Sequence, residues 1–172
     1  MHASTIACAA FGYNRRDAPR SEAPTDIKLL DLTLRLLVAC LLGAIIGTER
    51  EVHRKAAGLR TNAIIALGSA LFTIVGMEMA PAGADPSRVA STIVTGIGFL
   101  GAGAILRTGR NIQGLTTAAT IWVNAAIGMT VGTGAYALGV AATLITLGVL
   151  LVVGVIERRV ERRIAETDRS RR

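Results

Sequence analysis

The chain has 172 residues, 51% of them hydrophobic and only 18% charged, with a mean hydropathy of +0.50 and a net charge of +7. Soluble domains carry about 25% charged residues, so this composition points away from a water-exposed globule. Not one carboxylate lies between Asp85 and Glu157, which removes most acid–base catalysis and metal ligation from the second half. The basic residues cluster at the ends of apolar segments, not on the continuous face that nucleic acid requires.

Residues 1–28 differ from the rest. MHASTIACAA is too short to span a bilayer, and its arginines, Arg15 and Arg16, follow the apolar run, where a signal peptide would have them before it. The expectation is a disordered polar tail. Cys8 and Cys40 form no CxxC pair, so neither a disulfide framework nor a zinc site is indicated.

Five apolar stretches follow: Leu29–Gly47, Thr61–Ala80, Val89–Leu106, Leu115–Gly132 and Ala135–Ile156. A helix rises about 1.5 Å per residue, and a hydrocarbon core about 30 Å thick needs roughly 20 apolar residues. Backbone groups in lipid must be satisfied internally, and none of the stretches shows the alternation of barrel strands. The expected fold is all-α, a polytopic membrane domain of five transmembrane helices over residues 29–156. A basic juxtamembrane tail follows over 157–172, in which Ile156, Val160 and Ile164 form a narrow apolar stripe.

Five crossings place thirteen Lys and Arg on one side of the membrane and five on the other, leaving out Arg35 inside the first stretch. The positive-inside rule then puts the N-terminus outside and the C-terminus in the cytoplasm. Asp31 and Arg35 have the spacing and order of a helical ion pair.

The first cytoplasmic loop, TEREVHRKAAGLRT, admits two readings. One is a topology anchor at the lipid headgroups. The other is a docking surface, or a mouth where Glu49 and Arg60 face one another across two helix ends. Asp85 and Pro86 mark a helix start, Asp85 capping the free amides; a lone carboxylate there is weak as a metal ligand.

GIGFLGAG contains G-x-G-x-x-G at Gly96, Gly98 and Gly101. A dinucleotide site needs a preceding strand and an acid about 20 residues on; the flanking pattern is helical and position 121 is Ile. The expected role is backbone-to-backbone helix packing, with local unwinding as the alternative. Within the lipid, Asn124 suits an interhelical hydrogen bond and Glu78 lies near the outer interface. Thr116, Thr117 and Thr120 add hydroxyls along nearby turns, and the expectation is that they bond back to their own helix.

The segments LLVACLLGAIIGTERE, AGLRTNAIIALGSALF, DPSRVASTIVTGIGFLGAGAIL and GLTTAATIWVNAAIG closely resemble the MgtC/SapB family over roughly residues 32 to 156. Glu49, Arg60, Asp85, Gly96, Gly98, Gly101, Arg107 and Thr117 match its pattern and become site candidates on that ground, beside Glu78 and Asn124 from the reading of the residues. Thr92, Thr108 and Gln113 depart from it. The resemblance implies a five-helix bacterial inner-membrane protein linked to adaptation to low magnesium and, in pathogens, to virulence. It also implies a regulator acting through another membrane protein, such as the membrane sector of ATP synthase. The basic tail is closer to the short form without the ACT-like C-terminal domain. An ion or small-solute transporter is the alternative function. No catalytic residue, metal site or cofactor is expected; the bilayer, a membrane-protein partner and a second copy of the chain are the candidate partners.

Overall fold

The computed structural model describes residues 25–80, 85, 87–108 and 111–170. Most of the polar N-terminal tail therefore lies outside the described residues, as does Pro86. The chain divides after Leu30 into two units. Of the first, the described part is the opening of a helix, residues 25–30. The second holds everything from Asp31 on.

Helix α1 covers Thr25–Val52, α2 Leu59–Met79 and α3 Ser87–Gly103. A short antiparallel hairpin follows, β1 over Leu106–Thr108 and β2 over Asn111–Gln113, with Arg107 opposite Ile112. Helix α4 covers Leu115–Gly132 and α5 Tyr136–Ser170. Four of these helices, α1, α2, α4 and α5, are long and apolar enough to cross a membrane. The third apolar stretch falls in a helix of only 17 residues, Ser87–Gly103, and its last residue, Leu106, belongs to the hairpin. The hairpin did not show in the sequence because three-residue strands carry no readable alternation. Gly114, which leads from β2 into α4, has a left-handed φ of +89° and lies so close to the Ala104 carbonyl that a side chain would collide with it.

The solvent reveals itself in what is left outside. Leu34, Leu41, Ile45, Phe72, Leu144 and Ile145 are all exposed. In water such a surface would aggregate, whereas in hydrocarbon it needs no cover. Inside, the helices are held by small residues. The core of Ala39, Leu42, Ile46, Ala70, Ile127 and Val131 draws on α1, α2 and α4.

Ala66 of α2 sits between two glycines, Gly43 of α1 and Gly128 of α4. A Cβ on Gly43 would fall 2.6 Å from the Asn62 carbonyl oxygen, and one on Gly132 would fall 2.8 Å from that of Ala70. Without a hydrophobic drive between helices in lipid, such close backbone approach supplies the dispersion contact that holds them. Packing glycines thus include Gly43, Gly128 and Gly132, all outside GIGFLGAG. A Cβ on Gly96 or Gly98 would meet nothing within 4 Å, and Gly101 makes only ordinary contact with Ala118. This corrects the expectation for GIGFLGAG. Small residues permit close approach, but they do not say which neighbour arrives.

Candidate functional site

A polar cluster forms where the end of α1 meets the starts of α2 and α4. The helix of α1 does not stop at Gly47, where the apolar stretch ends, but continues to Val52. That extra turn carries Glu49 and Arg50 into the bundle; Arg50 is only 4% exposed. Its Nη2 donates to Thr117 Oγ1 of α4 at 3.2 Å, and its Nη1 lies 3.9 Å from Glu49 Oε2. Glu49 Oε1 is 3.0 Å from His53 Nδ1, one turn on.

The α1–α2 turn is tight, with Arg54 at φ 51° and Ala57 at φ 57°. The Leu59 amide donates to Glu51 Oε2 at 2.9 Å, so a carboxylate meets the positive end of α2. Asn62 follows, fully buried, and its Nδ2 donates to the carbonyls of Ala57 and of Gly58 (3.0 Å). Asn124 of α4 donates through Nδ2 to Asn62 O at 2.9 Å and to Asn62 Oδ1 at 3.0 Å. The cluster thus ties α1, α2 and α4 together by side-chain hydrogen bonds, and Thr120, which bonds to its own Thr116 carbonyl, lies buried between Thr117 and Asn124 on α4. Arg50 Nε, Glu49 Oε2 and Asn124 Oδ1 are buried with unused hydrogen-bonding capacity.

The other candidates lie apart. Arg60 is exposed, and Glu49 pairs with Arg50 and His53, so the two do not form a mouth across the helix ends. The reason is the extra turn of α1, which rotates Glu49 inward. Glu78 is exposed near the end of α2. Arg107 lies in β1. Gly96, Gly98 and Gly101 lie along α3. Asn62 and the buried role of Arg50 escape a reading of the sequence, because both adjoin a run of loop charges and look like part of it. The one available signal was Asn62 itself, a lone amide directly before the run Ala63–Leu67.

Asp85 stands at the start of α3. Its Oδ2 accepts from Ser87 Oγ at 2.7 Å and its Oδ1 from the Ser87 amide at 2.9 Å. The side-chain hydrogen bond, then the backbone one, holds the carboxyl below its ordinary value of 3.8. A lowered folded-state value means that the cap is at full strength above the ordinary value and weakens as pH falls through the lowered one. The Ser87 amide resonance in micelles should titrate with a midpoint under 3.8 and stay flat in Asp85→Asn. A midpoint at the ordinary value would remove the cap.

At the opposite end of α4, Arg35 Nη1 donates to the Gly132 carbonyl at 3.1 Å while Asp31 holds the same guanidinium at 2.6 Å. A cation here meets the negative end of a helix. The Tyr136 hydroxyl reaches Asp31 at 3.4 Å. Arg35 is therefore a helix clamp, where the sequence showed only an ion pair.

The MgtC family profile matches residues 36–159. YhiD of Escherichia coli (strain K12), named "Putative magnesium transporter YhiD", is 49% identical over 129 residues, 71% of this chain and 60% of that protein. Protein MgtC of Salmonella typhimurium (strain LT2) is 52% identical over 114 residues, 66% of this chain and 48% of that one. Protein MgtC of Brucella abortus (strain 2308) is 46% identical over 111 residues, 64% and 46% of the two chains. The chain thus spans about half to three-fifths of the length of these relatives. No solved structure matches it. With four membrane-length helices and a profile match across most of its length, the chain belongs to the MgtC family.

Proposed function

We propose that this protein is a regulator in the bacterial inner membrane, linked to adaptation to low magnesium, that acts by docking on another integral membrane protein. The membrane sector of ATP synthase is the candidate partner. In this reading the polypeptide crosses five times, α3 included, with its N-terminus outside and its C-terminus in the cytoplasm. It assigns the chain no catalytic step. The supporting observation is how the interior polar groups are used. Asn124 spends its donor on helix-to-helix bonds to Asn62, Asn62 spends its own on the Ala57 and Gly58 carbonyls at the turn into α2, and the Gly128–Ala66 contact lies on the outer side of them. Polar side chains thus act as fasteners between helices and leave apolar surfaces for partners.

A second reading, an ion or small-solute transporter, draws on the name of the relative YhiD and on the buried row Thr117, Thr120 and Asn124. Flux and docking are separable. In proteoliposomes at limiting magnesium the regulator should carry no ion current, while crosslinking in cells should recover a membrane partner. Deletion should also change ATP level and membrane potential across a magnesium series. Magnesium flux abolished by Asn124→Leu would replace the regulator with the transporter.

A further inference from the structure

Helices α2 and α3 touch near Gly76, which takes the Val89 side chain against its backbone, and a groove of about 790 Å³ lies between them. Its two walls are four-residue ridges, with Gly68 and Phe72 on one and Arg88, Gly96 and Leu100 on the other. A Cβ on Gly68 or Gly96 would meet nothing within 4 Å, so missing side chains deepen the groove. From Arg88 to Leu100 the helix rises about 18 Å, a little over half of a hydrocarbon core about 30 Å thick. The groove therefore has about the depth of one leaflet.

Its charge is confined to one end. Arg88 is exposed at the start of α3, and among the described residues no carboxylate oxygen lies within ion-pairing distance of it. The nearby Asp85 spends both oxygens on Ser87 and attracts Arg88 only at a distance, without a direct ion pair. A cation at the interfacial mouth of an apolar, leaflet-deep slot matches the layout of an anionic phospholipid.

We infer that the α2–α3 groove holds a phospholipid, its phosphate on Arg88 and an acyl chain along Gly68 and Gly96. A transmembrane helix fits less well. It would overrun a groove of this depth and set Arg88 against a desolvated apolar surface without a counter-charge. The inference stands apart from the regulator reading and survives its failure.

The test is native mass spectrometry of the full chain released from bilayers of phosphatidylglycerol and phosphatidylethanolamine. One phosphatidylglycerol should remain per chain. Arg88→Gln should lower its retention about fivefold, the worth of one interfacial basic residue. Gly96→Leu and Gly68→Leu should each expel it, with the melting temperature kept because the new side chain enters open space. Equal retention by wild type and all three variants would mean unspecific boundary lipid and would overturn the inference. So would crosslinks from Phe72 or Leu100 to a polypeptide helix with no lipid retained.

Discussion

Arg50→Met will destabilise the protein by about 3 kcal/mol, the lower end of the range for stripping one partner from a buried charge. Arg50 is 4% exposed, and its guanidinium joins Glu49 to Thr117 of α4. Methionine keeps most of the apolar stem and removes the charge, leaving the Glu49 carboxylate enclosed. The loss stays at the low end because His53 remains 3.0 Å from Glu49 Oε1. Unfolding in bicelles, followed by steric trapping, reads the difference. The double variant Glu49→Gln/Arg50→Met should recover about 1 kcal/mol or more, since no charge is then stranded. If the single variant unfolds like wild type, Arg50 is a surface cation and the cluster does not hold α1 to α4.

Gly128→Ala comes second, at about 1–3 kcal/mol, the usual penalty for forcing one extra carbon into a packed interior. The added methyl would land on the Ala66 carbonyl, a backbone atom that cannot rotate away. Relief requires α4 to move from α2, which also lengthens the Asn124–Asn62 hydrogen bonds. The control is Gly96→Ala, whose methyl enters open space on α3. It should be neutral, or stabilising by up to about 1 kcal/mol through helix propensity. Parallel melts of the two variants settle the matter. Equal destabilisation at both sites would show that glycine content, and not the partner at each glycine, governs packing.

This contrast shows where a sequence loses its grip. GIGFLGAG is the densest run of small residues in the chain and reads as the packing seam. The seam lies elsewhere, on glycines spaced singly through other helices. A similar slip occurred at the end of α1. Hydropathy drops after Gly47 because lipid ends there, and Glu49 and Arg50 read as loop. The helix nonetheless continues, since Thr117 and His53 give those side chains partners that a loop in water would not. Arg60, ten residues on from Arg50 and of the same type, stays outside.

Apolar runs of membrane length are legible one residue at a time, because the hydrocarbon acts on each side chain independently of its neighbours. Helical character and the start of α3 just after Asp85 come from such local terms. Which glycine meets which alanine, and whether a given charge turns in or out, are pairwise quantities between residues 67 positions apart for Arg50 and Thr117 and 97 for Arg35 and Gly132. Those pairings exist only once α1, α2 and α4 have come together, and they alone made Arg50, Asn62, Thr117 and Asn124 a site.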